Sequence, residues 1–165
     1  KILGITKTSS ILIVSNTEIL KKTFLTGLPY VTSQGNALNR GELGIQGSRP
    51  AEIIKLWLGL RFLGMKGIED ILSSSIERKK LFENSLNKDK YYLDSGPLHI
   101  ISILPKGMSK EESDDWTLNK KIILMKNNFM ISRPLFKNRY FLRIVLGNYN
   151  TNKEHINALL KLLNS

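Results

Sequence analysis

The sequence contains no cysteine and only two histidines, His99 and His155. Without cysteine the chain can form no disulfide, no thiolate metal site and no cysteine nucleophile. Two histidines that lie far apart in the sequence do not predict a metal centre either. No apolar run reaches the roughly 18 residues that a membrane-spanning helix needs, and no signal peptide is visible. We therefore expect a cytoplasmic protein without a metal ion or a membrane span.

The sequence also lacks an initiating methionine, because its first residue is Lys1. We therefore expect it to be a piece of a longer chain or a processed product. Its composition, with 41% apolar and 24% charged residues, is typical of a globular protein. A chain of 165 residues is long enough to bury a hydrophobic core.

Acidic residues are few, so the formal net charge is +11. Such an excess of positive charge is one feature of nucleic-acid-binding domains. Here the basic residues are scattered along the chain, with Arg78–Lys80 as the longest run. A solvated basic surface explains that pattern, and we expect no nucleic-acid partner. A small basic nucleic-acid-binding domain remains an alternative.

Three segments have the Ser/Thr-x-x-Glu pattern of a capping box, namely Ser15–Glu18, Ser109–Glu112 and Thr151–Glu154. In a capping box the hydroxyl accepts a hydrogen bond from the backbone three residues on, and the glutamate accepts one from the cap residue. Apolar residues at helical spacing follow each pattern. The predicted helices are 16–24, 49–63, 68–87, 109–127 and a terminal helix that begins at residue 151. Gly64 ends the second of them. The terminal helix carries Ile156, Leu159, Leu160 and Leu163 on one face.

β-Branched and alternating apolar residues predict four strands. They are a buried strand 9–14 and three further strands, 97–104, 129–132 and 140–146. The second half of the chain therefore predicts a small α/β unit with an antiparallel sheet. Polar residues and Gly96-Pro97 interrupt the pattern between residues 88 and 96. We place a domain boundary there, which gives domains 1–90 and 91–165.

A long irregular segment, Gly27–Gly47, separates the first two predicted helices. Segments of this length within a compact domain are often functional. At its end, Ser48 is a good N-cap and Pro50 suits the first turn of the helix that follows. Backbone N–H groups at such a helix start can bind an anion. A plain helix cap without any ligand explains the same residues.

Three motifs in order carry a family resemblance. They are Lys1–Val14, Gly44–Arg49 followed by Ile54–Trp57, and Phe141–Asn148. Together they resemble the pyridoxal-phosphate-dependent decarboxylases of amino acids, the group that acts on glutamate, cysteine sulfinate, diaminobutyrate and aromatic amino acids. The resemblance covers the whole chain. It implies a fold-type I enzyme, of which this chain is the C-terminal portion: the end of the large cofactor-binding domain and the small α/β domain.

The resemblance also implies roles for four residues. Lys1 corresponds to the lysine that holds pyridoxal 5'-phosphate covalently through its amine. Gly47 and Ser48 correspond to a turn that approaches the cofactor's phosphate in a homodimer. Arg143 corresponds to the arginine that binds the carboxylate of the amino-acid substrate, for which a planar guanidinium is well suited. Gly27–Gly47 corresponds to a mobile active-site loop, in which Leu28-Pro29-Tyr30 stands in place of the aromatic pattern of glutamate decarboxylases, so a role for Tyr30 stays open.

The resemblance leaves the substrate open, because the amino acid cannot be identified from these motifs. It implies that the other cofactor ligands belong to an N-terminal part, so we expect the 165-residue piece to be inactive alone. Arg143 could instead pair with a surface acid. A degenerate fragment that serves only as an interaction module is the second reading of the whole chain.

Overall fold

The computed structural model describes residues 3–5, 11–24, 43–45 and 50–164. Contacts divide the chain into two compact units, Lys1–Ile5 with Gly59–Ser165, and Thr6–Leu58. The domain boundary near residue 90 stays a prediction about the complete protein. In the described residues the elements are α1 (Glu18–Phe24), α2 (Ile53–Ser85), β1 (Tyr91–Ser95), β2 (Ile100–Pro105), α3 (Lys110–Lys126), β3 (Leu135–Phe136), β4 (Arg139–Tyr140), β5 (Leu142–Val145) and α4 (Lys153–Asn164).

The central feature is a three-stranded antiparallel sheet with the strand order β1-β2-β5. This sheet confirms the predicted α/β unit with antiparallel strands. β1 was not predicted, since its residues fall in the segment that we took for a boundary. Tyr91 and Leu93 face the same side and are favourable strand residues, but the strand is short and ends at Gly96.

One face of the sheet forms the hydrophobic core with the helices. Ile101 and Ile103 of β2 and Leu142 of β5 are fully buried. The helices cover them with a set of buried apolar side chains: Phe82 of α2, Leu124 of α3, and Ile156, Leu159, Leu160 and Leu163 of α4. The four residues of α4 are those predicted from helical spacing, which confirms its apolar face. Burial of such side chains is worth about 1.5–3 kcal/mol each.

Helix α2 is interrupted at Gly64, whose φ of 61° lies in the left-handed region that favours glycine. The break agrees with the predicted end of a helix at Gly64. Beyond it, the apolar residues at helical spacing predict one buried face; Phe82 is buried, whereas Ile68, Ile71, Leu72 and Ile76 are only half-buried. Before it, Trp57 and other apolar side chains are exposed.

Two strand predictions were wrong in the described residues. Ile11–Val14 forms no strand, and Ile11, Leu12 and Ile13 are exposed. A strand needs a neighbour to satisfy its backbone N–H and C=O groups, and local sequence does not reveal one. Segment 129–132 forms a single bridge, Ser132 with Arg143, instead of a full strand.

The predicted strand 140–146 is divided between β4 and β5, and β4 pairs with β3 in a hairpin that was not predicted. Lys137 and Asn138 connect β3 to β4 with φ values of 46° and 60°. Positive φ at both residues is typical of the tight turns that join two antiparallel strands. Lysine is unusual in such a turn, which explains why the sequence did not indicate it.

The helix caps agree with the prediction in one case of three. Ser109 and Glu112 form the full capping box of α3. At α1 the cap is Asn16, whose Oδ1 accepts from the N–H of Glu18 at 2.9 Å, rather than Ser15. At α4 the cap is Asn152: its Oδ1 accepts from the N–H of His155 at 3.0 Å, and its own N–H donates to His155 Nδ1 at 3.3 Å. A neighbouring asparagine therefore replaced the predicted hydroxyl twice.

The cap at α4 can be tested by substitution. We expect Asn152→Ala to lower the free energy of unfolding by about 1 kcal/mol, because a helix N–H loses its partner. Thr151→Ala is the matched control and should change stability by only a few tenths of that amount. Urea unfolding monitored by circular dichroism measures both. A larger loss in Thr151→Ala than in Asn152→Ala would contradict the observed cap.

Candidate functional site

Arg143 is the one predicted site residue that the structure describes, and the alternation of β5 sets its direction. Leu142 and Ile144 are buried in the core, whereas Arg143 and Val145 are exposed. Successive side chains of a strand point to opposite faces of the sheet. The guanidinium of Arg143 therefore lies on the face away from the core, where its charge needs no buried partner.

Ser132 contacts Arg143 through three hydrogen bonds. The backbone N–H of Arg143 donates to Ser132 O at 2.8 Å, and the hydroxyl of Ser132 donates to Arg143 O at 3.3 Å. The third bond runs from Arg143 Nε to Ser132 Oγ, at 3.0 Å. Backbone and side chain of Arg143 are thus held at the outer edge of β5.

The sheet face around Arg143 carries other polar residues. Ser102 of β2 lies opposite Arg143, and Asp94 of β1 lies opposite Ser102. Directly opposed residues share one face of an antiparallel sheet, so the three form a polar row across the strands. Within the described part of the chain Arg143 forms no ion pair. The Nη end of its guanidinium has no hydrogen-bond partner there either and can accept an anionic ligand.

A polar network joins α3 to the segments on either side of the hairpin. Arg133, next to Ser132, donates from Nε to Thr117 Oγ1 at 2.9 Å and from Nη2 to Asp114 O at 2.8 Å. Its guanidinium also lies 3.5 Å from the centre of the Tyr140 ring. The N–H of Tyr140 donates to Asp114 Oδ1 at 3.1 Å. The network therefore fixes the chain directly after Ser132 and shortly before Arg143.

Asp114 is the acidic centre of this network. The side chain of Lys110 donates to Asp114 Oδ2 at 2.8 Å. That hydrogen bond, followed by the one from the backbone of Tyr140, lowers the pKa of Asp114 below its ordinary value. The carboxylate therefore remains ionised, and able to accept both bonds, to more acidic pH than an ordinary aspartate.

The residues that the resemblance links to the cofactor lie outside the described residues. These are Lys1, Gly47 and Ser48, and the same holds for Tyr30 in the predicted active-site loop. Pro50 is described, and it lies before α2, which begins at Ile53, instead of in the first turn of the helix as predicted. The described geometry consequently bears on Arg143 and its surroundings.

A second polar group, Arg78 and His99, lies on the core side of the sheet. Arg78 Nε donates to Leu146 O at 3.0 Å. Arg78 Nη2 and His99 Nδ1 are buried without a hydrogen-bond partner among the described residues. Gly147 is required beside them, because a Cβ there would lie 2.7 Å from His99 Cδ2. Burial, and next the positive charge of Arg78, lower the pKa of His99.

Two classes of site are absent from the described part of the chain. No group of three or more histidine, aspartate and glutamate side chains there could hold a metal ion. No helix in these ranges is long and apolar enough to cross a membrane.

Comparison with known proteins identifies the family. The model of the pyridoxal-dependent decarboxylase conserved domain matches residues 1–93. The chain belongs to this family. The match covers more than half of the sequence and includes Lys1, Gly47 and Ser48. Pyridoxal phosphate is the cofactor of pyridoxal-dependent decarboxylases, as the resemblance implied.

Solved structures show the same fold. Oryza sativa TDC with pyridoxal phosphate and tryptamine superposes with a TM-score of 0.75 over 90% of this chain at 16% identity. Mouse CSAD superposes with a TM-score of 0.70 over 90% of this chain at 19% sequence identity. Catharanthus roseus tryptophan decarboxylase with L-tryptophan superposes with a TM-score of 0.68 over 87% of this chain at 17% sequence identity. At these identities the likeness is one of fold, and it confirms the fold-type I assignment.

The chain spans only about a third of these proteins, namely 33% of the rice chain, 34% of the mouse chain and 32% of the Catharanthus chain. The remaining two thirds of those proteins have no counterpart in this chain.

Sequence reasoning did not find Ser132 or the Asp114 network. Ser132 lies at the end of a predicted strand, but nothing local indicates that it pairs with Arg143, eleven residues away. Asp114 and Lys110 have the spacing of a helical ion pair, which is a usable signal. The partner Tyr140 becomes visible only in the folded chain.

The pKa of His99 predicts how stability depends on pH. Since the folded-state pKa is below 6.5, the unfolded chain binds a proton first as the pH falls. The contribution of neutral His99 to the free energy of unfolding is therefore complete above about pH 6.5. It is lost as the pH falls from there toward the folded-state pKa of His99. Urea unfolding between pH 8 and pH 5 measures this loss.

Two variants separate His99 from other titrating groups. We expect His99→Gln to remove most of the pH dependence between pH 7 and pH 5. His155→Gln, which changes the other histidine of the chain, should retain it. If the free energy of unfolding of wild type and of His99→Gln changed with pH in the same way, His99 would have the same pKa in the folded and the unfolded protein.

Proposed function

We propose that the chain is the C-terminal part of an enzyme that removes carbon dioxide from an L-amino acid with pyridoxal phosphate. The observation that carries this proposal is the family match over residues 1–93. The exposed guanidinium of Arg143 on the open face of the sheet supports it, because an amino-acid substrate brings a carboxylate. When bound, the cofactor accepts the electrons of the bond that breaks as carbon dioxide leaves.

Three residues of this chain would hold the cofactor in the proposed enzyme. The amine of Lys1 would hold it covalently. Gly47 and Ser48 contribute to the phosphate site, for which a small residue and a hydroxyl are suitable. These roles rest on the resemblance and on the matched range of the family model.

Arg143 would bind the substrate carboxylate and orient it for cleavage. A guanidinium offers two parallel donors to the two carboxylate oxygens, and this bidentate geometry restrains the orientation of the substrate. The open Nη end on an otherwise uncharged strand supports this role. The amino acid that is decarboxylated stays open.

We propose further that the complete enzyme is a cytoplasmic homodimer and that the 165-residue piece alone is inactive and self-associates. The exposed apolar side chains support this proposal. Trp57 is 57% and Phe62 is 90% exposed on the same helix, and Ile13 is 88% exposed. Apolar surface of this kind commonly marks an interaction face. Exposed apolar side chains also favour an interaction module as the second candidate function.

Lys1 can be tested directly in the complete protein. We expect borohydride reduction of the cofactor-loaded protein, followed by proteolysis and mass spectrometry, to find the pyridoxyl group on the Lys1 side chain. Lys7 lies six residues away in the same part of the sequence and provides an internal control, which should remain unlabelled. A pyridoxyl group on any other lysine would refute the assignment of Lys1.

Arg143→Lys tests the carboxylate site. The variant keeps the charge but loses the bidentate geometry, so kcat/KM for the amino acid should fall about 10- to 100-fold. Cofactor content and Tm should change little, because the side chain is exposed. Steady-state kinetics normalised to bound cofactor measure the effect.

The matched control is Arg133→Lys. It removes the bonds of Arg133 to Thr117 and Asp114, so Tm should fall while kcat/KM per bound cofactor changes less. Arg143 would be a structural residue if Arg143→Lys lowered Tm or cofactor content and left kcat/KM per bound cofactor normal.

A further inference from the structure

We propose that Ser132 is a positioning residue for Arg143, so that only the Nη1–Nη2 end of the guanidinium meets the substrate carboxylate. This inference rests on the proposed function, in which Arg143 binds that carboxylate. In this inference Ser132 contacts neither the substrate nor the cofactor, but it sets the orientation of Arg143, which contacts the substrate.

The hydrogen bond from Arg143 Nε to Ser132 Oγ determines which donors remain. A guanidinium has five N–H groups, one on Nε and two on each Nη. A carboxylate can bind it side-on, through Nε and one Nη, or end-on, through both Nη atoms. At 3.0 Å from Ser132 Oγ the Nε–H is already used. The end-on pair is left for a ligand.

The two hydrogen bonds of the Ser132 hydroxyl are mutually compatible. A serine hydroxyl has one hydrogen to donate and two lone pairs to accept with. Because Nε–H of Arg143 can only donate, the hydroxyl oxygen accepts from it, and the hydroxyl hydrogen is left to donate to Arg143 O at 3.3 Å. The backbone bond from Arg143 N to Ser132 O, at 2.8 Å, keeps the two residues opposed. The serine therefore accepts from the guanidinium with a consistent assignment of donor and acceptor.

The position of Ser132 is fixed from outside the sheet as well. Its neighbour Arg133 is bound to Thr117 and Asp114 of α3, and Asp114 also accepts from the N–H of Tyr140. These bonds tie both sides of the β3–β4 hairpin to one helix. An exposed arginine on a free strand would sample many rotamers, and restraining it beforehand lowers the entropic cost of binding.

The test compares Ser132→Ala, Ser132→Thr and Ser102→Ala in the complete, cofactor-loaded protein. The probes are L-glutamate, L-cysteine sulfinate, L-2,4-diaminobutyrate and L-tryptophan, with kinetics measured on the one that is turned over fastest. Substrate binding is measured separately, from the change in cofactor absorbance on adding that amino acid. Ser102 is the matched control, since it lies opposite Arg143 on the other side and forms no hydrogen bond to its guanidinium.

We expect Ser132→Ala to lower kcat/KM about 5- to 10-fold, because the loss of one exposed hydrogen bond loosens Arg143 but leaves its charge in place. The loss should appear mainly in KM and in the binding constant, because the orientation of Arg143 matters before the bond breaks. Ser132→Thr keeps a hydroxyl on the same carbon and should restore most of the affinity. Ser102→Ala should behave as wild type.

The inference is overturned if Ser132→Ala binds and turns over the amino acid like wild type. It is also overturned if Ser102→Ala lowers kcat/KM and affinity for the amino acid as much as Ser132→Ala does. It is also overturned if Ser132→Ala lowers only Tm or cofactor content, since that is the result of a structural role. A wild-type protein that binds an amino acid but releases no carbon dioxide refutes the proposed function alone, and weaker binding in Ser132→Ala then still supports the positioning role. Absence of binding to all four amino acids overturns both.

Discussion

The candidate site depends on the burial of Leu142 and Ile144 under the helices. Because the side chains of successive strand residues point to opposite faces of the sheet, burial of Leu142 and Ile144 places Arg143 on the face away from the core. A slip of one residue in the pairing of β5 with β2 would bury the guanidinium and expose two core side chains. The hydrophobic core thus specifies the direction of a charged side chain that makes no contribution to the core.

Polar contacts then refine what the core has determined. Ser132 holds Nε of Arg143, and Asp114 holds the chain that leads into β5 through the N–H of Tyr140. The hydrogen bonds from Lys110 and from the backbone of Tyr140 lower the pKa of Asp114, so this acceptor stays charged to more acidic pH than an ordinary aspartate. Because Asp114 belongs to α3, which also supplies Leu124 to the core, the position of the site is coupled to helix packing.

Local patterns predicted the elements whose signal is local. Ile156, Leu159, Leu160 and Leu163 recur at helical spacing, and the break at Gly64 follows from a residue that tolerates positive φ. Pairing is non-local, so sequence indicated neither β1 nor the bond between Ser132 and Arg143. It also assigned a buried strand to Ile11–Val14, whose exposed residues lack a neighbouring strand in the described structure. The role proposed for Arg143 comes from the resemblance to the family, since its strand alone does not reveal a ligand.

The central claim is that this chain is part of a pyridoxal-phosphate enzyme that decarboxylates an amino acid. Release of labelled carbon dioxide from amino acids carrying 13C in the α-carboxyl group tests it most directly, with the complete protein saturated with cofactor. The account predicts release from at least one L-amino acid and its loss in Lys1→Ala. A protein that is fully loaded with cofactor and releases no labelled carbon dioxide from any of them would contradict the account.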